Sequence, residues 1–289
     1  MHYEGNIIRP PSEADSIILQ VTVGCSHNRC SFCGTYRGEL FRLKKEETIL
    51  EDIEFAARYC GRQKRVFLAD GDVLSLPQRK LVHLFSLIRE KLPFVNRIAL
   101  YGNAKNIIRK SQDELAELKE LGLARVYMGL ESGNNQTLQA INKGVDAETL
   151  IRAGKMIRAA DLFLSVTVLL GVAGKDRSCE HARDTGKVIS AMEPSQVGVL
   201  TLMLLPGTPL SDDAASGRFS LPDKSGLLAE LALIVKNIDL HQVQFQANHA
   251  SNYLPVNCRL PRDREKVLAA IEMAQTGAIS LKPEYLRAL

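Results

Sequence analysis

The sequence Ser16-Ile17-Ile18-Leu19-Gln20-Val21-Thr22-Val23-Gly24-Cys25-Ser26-His27-Asn28-Arg29-Cys30-Ser31-Phe32-Cys33 joins an apolar run to three closely spaced thiols. The apolar part reads as a β-strand, and the cysteines fall on the loop that follows it. Three soft ligands at the end of a strand suggest a metal centre whose fourth position is left to something else. The spacing, four residues and then two, also fits the plant-type ferredoxin pattern, which takes a fourth cysteine. A zinc site would need four ligands, with His27 the nearest extra candidate.

The remaining cysteines bear on that choice. Cys60, Cys179 and Cys258 are scattered singly, which is not a disulfide framework in a chain of 289 residues. Cys60 is spaced to serve as a fourth ligand, but Glu46–Cys60 reads as an amphipathic helix. Ile49, Ile53, Ala56 and Cys60 share one face there, so Cys60 is expected to be a small buried hydrophobe. Cys179 is expected at a helix start and Cys258 in a loop.

Apolar residues make up 45% of the chain, ample for a buried core, and 24% are charged. Lys and Arg exceed Asp and Glu by 37 to 33, a net +4, too weak to argue for nucleic acid. The N-terminus shows no basic and apolar signal-peptide pattern. The apolar stretch 162–172 is shorter than the roughly 20 residues that cross a bilayer. A cytoplasmic protein without a membrane span is the expectation.

β-rich runs alternate with helical patterns. Strands are expected at 16–23, 65–69, 97–101, 125–130, 162–170 and 197–205. Helices are expected at 45–60, 77–91, 111–121, 135–141, 147–160 and 178–192. Most of the strands lack polar alternation, as strands covered on both faces do. Ser111-Gln112-Asp113-Glu114 is a capping box opening the third of these helices. Six βα units imply a parallel sheet in an α/β fold, either open or an incomplete barrel. The segment 206–222 separates this core from a tail, with helices expected at 223–238 and 263–276 and a short strand within 241–247. The expected domains are a core at 1–215 and a C-terminal, mostly helical extension at 216–289 that reaches over the mouth of the barrel.

In such folds sites form where strands end. Here those ends carry the cysteine loop, Asp70-Gly71-Asp72, Tyr101-Gly102-Asn103, Glu131-Ser132-Gly133, Gly171-Val172-Ala173-Gly174 and Pro206-Gly207-Thr208-Pro209.

At these residues the chain resembles the radical S-adenosylmethionine (SAM) superfamily over about residues 15–215. It is most similar to the branch holding oxygen-independent coproporphyrinogen III dehydrogenase, the Elongator catalytic subunit and the methylthiotransferases. The resemblance rests on the cysteine loop with Phe32 before its last thiol, Met128-Gly129-Leu130-Glu131-Ser132-Gly133, Ile141-Asn142-Lys143-Gly144 and Leu170-Gly171-Val172-Ala173-Gly174. It implies a partial (β/α)6 TIM-type barrel with a [4Fe–4S] cluster held by Cys25, Cys30 and Cys33. SAM would chelate the fourth iron and be cleaved to a 5′-deoxyadenosyl radical. The same resemblance puts Asp70-Gly71-Asp72 at the methionine amino group, and Tyr101 and Asn103 among the polar contacts after the third strand. Glu131 falls near the ribose or methionine moiety, and Gly171 near the adenine. Lys143 stands where porphyrinogen enzymes carry an arginine for the SAM carboxylate, and Thr167 where they carry an acidic ribose contact. The first cysteine gap holds four residues where the commonest family pattern has three. The resemblance implies a flavodoxin- or ferredoxin-type electron donor. A small-molecule substrate is favoured over nucleic acid, and the alternative from another class is an iron–sulfur protein without SAM chemistry.

The tail adds Gln246-Ala247-Asn248-His249-Ala250-Ser251-Asn252-Tyr253, whose density of polar side chains suits substrate binding or proton transfer. His249 is the candidate catalytic residue. A turn-rich connector with satisfied side chains is the competing reading.

Overall fold

The computed structural model describes Met1–Ala288. It falls into two compact units. The first comprises Met1–Asn28, Thr35–Met128 and Met156–Leu164, and the second Arg29–Gly34, Gly129–Lys155 and Ser165–Leu289.

The first unit contains β1 (Ile17–Gln20), β2 (Thr22–Val23), β3 (Arg42–Leu43), α1 (Glu46–Tyr59), β4 (Arg65–Ala69), α2 (Gln78–Lys91), β5 (Arg97–Tyr101), α3 (Ala104–Ile107), α4 (Gln112–Glu120) and β6 (Leu123–Glu131), whose end from Gly129 belongs to the second unit. β1, β4, β5 and β6 lie side by side in that order and run parallel. Their residues are buried on both faces, which is why the sequence runs are apolar without alternation. Phe67, Ala69, Ala99 and Tyr127 cluster on one face, with Tyr101 packed against them.

The expected strand 16–23 is broken at Val21. β1 follows β4 as far as Gln20, after which the chain turns out and β2 pairs antiparallel with β3. The capping box is formed: Ser111 Oγ accepts from the Glu114 N–H at 3.1 Å and Glu114 accepts from the Ser111 N–H at 2.7 Å. At the opening ends of the strands a buried carboxylate, Glu13, takes both oxygens to Arg97 at 2.7 and 2.8 Å and also accepts from Tyr127 and Ser16. Four hydrogen bonds from these three side chains satisfy a charge that would otherwise be costly to bury. Cys60 departs from expectation. It is the C-cap of α1 and partly exposed, while Ile49, Asp52, Ile53 and Ala56 fill the buried face.

The second unit contains α5 (Asn135–Ala140), α6 (Ala147–Ala159), β7 (Phe163–Leu170), α7 (Ser178–Met192), β8 (Gln196–Thr201), α8 (Pro209–Ala215), α9 (Lys224–Asn237), β9 (Val243–Gln246), β10 (Asn257–Leu260) and α10 (Arg264–Gln275), with α6 and β7 each straddling the boundary between units. β7, β8 and β9 are parallel, and β10 closes the edge antiparallel to β9. The tail therefore supplies two strands as well as helices, and Cys258 lies in β10 rather than in a loop. α7 packs along α9; Ala182, Ile189 and Met192 are buried on one helix and Leu227, Leu231 and Ile234 on the other. Each large side chain so buried contributes about 1.5–3 kcal/mol. Among the described residues no helix is long and apolar enough to cross a membrane.

Candidate functional site

The loop Asp70-Gly71-Asp72 at the end of β4 braces the first half of the cysteine loop. Asp70 accepts from the Gln20 amide at 2.9 Å, the Gly24 N–H at 3.3 Å and the Tyr36 hydroxyl at 3.4 Å. Asp72 accepts from the Asn103 N–H at 3.1 Å, the Asn106 amide at 2.5 Å and the Ser26 hydroxyl. Burial pushes the pKa of both carboxyls up, opposed by these hydrogen bonds. Neither acid caps the short helical turn that follows, which has no side-chain cap. Between them Gly71 lies directly against Cys25: an added Cβ would stand 2.9 Å from the Cys25 Cβ and 3.0 Å from the Tyr36 ring. Glycine is required there by close approach.

The second half of the loop is held by the end of α5 and the first turn of α8. Ser31 donates its N–H to Ile141 O at 2.9 Å and accepts from the Leu210 N–H at 3.0 Å, while the Asn142 amide donates to Arg29 O at 3.1 Å. Phe32 packs on the cluster of Ile141, Leu169, Val172, Leu202 and Leu210. The aromatic residue before Cys33 is thus an apolar anchor. None of the six cysteines is in a disulfide, and Cys25, Cys30 and Cys33 are each partly accessible. A set of three accessible cysteine sulfurs is chemically suited to an iron–sulfur cluster. Among the described residues no three His, Cys, Asp or Glu side chains are gathered into a metal-ligating group.

At the end of β6 the backbone of Glu131 is left-handed, with φ 61°, uncommon for a residue with a side chain. Its carboxylate folds back over Gly129 to meet Lys143 Nζ at 3.0 Å. A Cβ at Gly129 would lie 2.2 Å from the Glu131 oxygen and 2.9 Å from Lys143 Nζ, so the pair exists only over a glycine. Glu131 and Lys143, two expected SAM contacts, are partners of one another.

Below this turn runs a buried relay that no sequence pattern announces. Ser132 Oγ lies 2.8 Å from His181 Nδ1, and His181 Nε2 lies 3.3 Å from Glu230 Oε1, an ion-pair distance without an aligned hydrogen bond. Glu230 accepts the Gly171 N–H at 2.7 Å and the Ser178 hydroxyl. All three relay residues are buried. One carboxylate on α9 therefore ties down the glycine turn after β7, where Gly171 has φ 80°.

The expected site residues on β5 and β7 divide. Tyr101 stands edge-on to Phe67 at 5.1 Å and to Tyr127 at 5.9 Å, and burial raises its pKa. Asn103 spends its side-chain oxygen on the Lys105 N–H at 3.1 Å, capping α3. Thr167 is half-buried on β7.

In the tail, Thr201 at the end of β8 donates its N–H to Ser251 Oγ at 3.0 Å and its hydroxyl to Asn252 at 2.8 Å. The Asn252 amide donates to Val199 O at 2.7 Å. These bonds fasten the polar motif to the closing end of β8. His249 Nδ1 lies 2.9 Å from Ser251 Oγ and receives the Ser251 N–H at 3.2 Å. A backbone N–H can only donate, so the neutral ring carries its proton on Nε2. Burial first, then the charge of Lys282, lowers the pKa of His249.

A family model described as the radical SAM superfamily matches residues 19–185. An uncharacterized protein of Methanocaldococcus jannaschii is 23% identical over 72% of this chain and 67% of its own length. The 4′-phospho-dehydrooxetanocin synthase of Priestia megaterium is 25% identical over 64% of this chain, but the alignment takes in only 28% of that enzyme. Among solved structures, methylornithine synthase (TM-score 0.54, 18% identity, 76% of this chain and 62% of that one) and the coproporphyrinogen III oxidase of Escherichia coli (0.54, 17%, 77% and 53%) share the fold. The chain thus spans between about a quarter and two thirds of the length of these relatives. Its mixed α/β architecture is the partial barrel of those structures, and with its family model covering more than half of its length the chain belongs to the radical SAM superfamily.

Proposed function

We propose that the protein is a radical SAM enzyme in which Cys25, Cys30 and Cys33 hold a [4Fe–4S] cluster. The observation that carries this reading is Gly71 pressed against Cys25 inside a matched family segment containing all three thiols. When bound, the cluster would supply the electron that splits the C5′–S bond of SAM, giving a 5′-deoxyadenosyl radical for hydrogen abstraction.

The chain's own residues bind and orient. Asp70 and Asp72 fix the cysteine loop, and the main chain at Gly71 is left close to any ligand of Cys25. Lys143, held beside Glu131 at 3.0 Å, is the cation for the SAM carboxylate. Tyr101, Asn103, Glu131, Thr167 and Gly171 are the further contacts, and Phe32 walls the loop from water. His249, with its proton on Nε2, is the candidate donor to substrate. A flavodoxin- or ferredoxin-type protein is the proposed reductant and a small molecule the substrate.

Anaerobic reconstitution, reduction and incubation with SAM test the proposal, with 5′-deoxyadenosine quantified by chromatography. A loaded, reduced protein that leaves SAM intact would point to electron transfer alone. Cys30→Ala is expected to lose both iron and SAM cleavage.

A further inference from the structure

We propose that the β9–β10 ladder carries an oxyanion-binding site for the carboxylate or phosphate of a small molecule, built on Gln246, Asn257 and Arg259. Cross-strand register places Gln246 opposite Asn257 and Gln244 opposite Arg259. Residues opposite one another in a ladder share a face, so these four side chains form a compact patch. The neighbouring positions Val243 and Phe245 are buried. A cavity of about 360 Å³ opens on the patch, lined also by Arg262 and Asp263.

The chemistry of the patch follows from how its amides are held. Ser165 Oγ donates to Gln196 Oε1 at 3.0 Å, and Gln196 Nε2 donates to Gln246 Oε1 at 2.6 Å. Each link spends an oxygen, so the free end of the relay is the amide N–H pair of Gln246, a donor. Ser165 and Gln196 are buried, so water does not compete for these two bonds. Charge points the same way. Asp263 is bound to Arg262 at 2.9 and 2.7 Å and accepts the Arg259 N–H at 2.9 Å, so these two opposite charges cancel. Arg259 makes no ion pair among the described residues, leaving one uncompensated guanidinium. Burial lifts the Cys258 thiol to about 11, so no thiolate opposes an anion at neutral pH. A guanidinium fork beside outward amide donors matches a planar carboxylate or a phosphate. Gln246 stands beside Gly198 on the register of β8, so the site lies on the wall of the same strands that carry the loops described above.

The test is a titration of the reconstituted protein with inorganic phosphate and, separately, acetate, at ionic strength held constant with KCl, read as the midpoint of thermal unfolding. A saturable rise with either anion is expected, and the one that acts identifies the oxyanion. Arg259→Gln and Gln246→Glu should each weaken that binding at least tenfold, while Arg62→Gln, an exposed arginine elsewhere, should leave it unchanged. Circular dichroism of the variants checks that they are folded. No saturable rise with either anion, or a rise that survives in Arg259→Gln, overturns the proposal. The readout needs no SAM cleavage, so its failure is separate from failure of the radical reading.

Discussion

A methyl group at position 71 would arrive 2.9 Å from the Cys25 Cβ and 3.0 Å from the Tyr36 ring, and neither neighbour is the far end of a flexible chain. Overpacking of this kind costs typically 1–3 kcal/mol, and here the strain falls on a thiol. Gly71→Ala is therefore expected to reduce iron per reconstituted chain several-fold while leaving a folded protein, measured by iron content beside circular dichroism. Full iron loading would mean the loop yields cheaply. A second prediction concerns His249. Its pKa is lowered in the folded chain by burial and by Lys282, whereas an unfolded histidine titrates near 6.5. As pH falls through about 6.5 the unfolded chain gains a proton that the folded chain still refuses, so stability is held above that pH and lost below it. Denaturation midpoints of His249→Asn should fall less steeply than wild type between about pH 6.5 and 5; identical slopes would assign the acid sensitivity elsewhere. Cys25, Gly71 and Glu131 were legible because spacing and strand ends marked them. Glu13 was not, since a lone acid before the first strand gives no sign that Arg97 and Tyr127 will close on it.

At the scale of elements, α9 does more than cover α7. Its Glu230 receives the Gly171 N–H and the Ser178 hydroxyl and faces His181. Breaking a buried charged network by removing one partner costs about 3–5 kcal/mol. Glu230→Ala should lose stability on that scale. Glu230→Gln keeps an oxygen for Gly171, and the Ser178 hydroxyl can turn to accept from the new amide, so its loss should be about 1–2 kcal/mol. Urea midpoints at unchanged slope measure both. Equal losses would show that the Gly171 hydrogen bond is not what matters. Periodicity could not foretell this relay, because Ser132, His181 and Glu230 lie on separate elements and each reads singly as an ordinary polar residue. The strands β4 and β5 were legible to the residue, being short apolar runs with turn residues at each end. α8 is not among the expected helices, although Thr208 accepts the Ser211 N–H at 3.3 Å and Pro209 opens the first turn, a signature present in the sequence. β10 left no such sign. Its exposed Asn257 and Arg259 alternate with half-buried Cys258 and buried Leu260, and Pro255 and Pro261 flank it, which reads as a loop.

For the whole molecule, the question is whether residues 1–215 can stand as a domain. The division after residue 215 is a proposal about where the catalytic segment ends, and the packing of the second unit bears on folding separately. A chain stopped there loses α9, β9, β10 and α10. Truncation there takes away a helix that packs along α7 and, with it, Leu227, Leu228, Leu231, Ile234 and Val235, all buried. At about 1.5–3 kcal/mol each, these five contribute roughly 7–15 kcal/mol, comparable to the whole stability of a domain. β8 would become an edge strand, the Thr201 N–H would lose Ser251, and the Gly171 N–H would lose Glu230. Residues 1–215 are thus expected to bind a hydrophobic dye and to melt without a cooperative transition, while the full chain melts sharply. A sharp transition in the truncated chain would mean that the core closes on its own contacts and that the tail is an appendage. The physical difference lies in what α7 meets: His181 and Thr185 bond to the turn after β6, while Gly186 lies against Asn237 of α9, so removing the tail strips one of two walls from a buried helix.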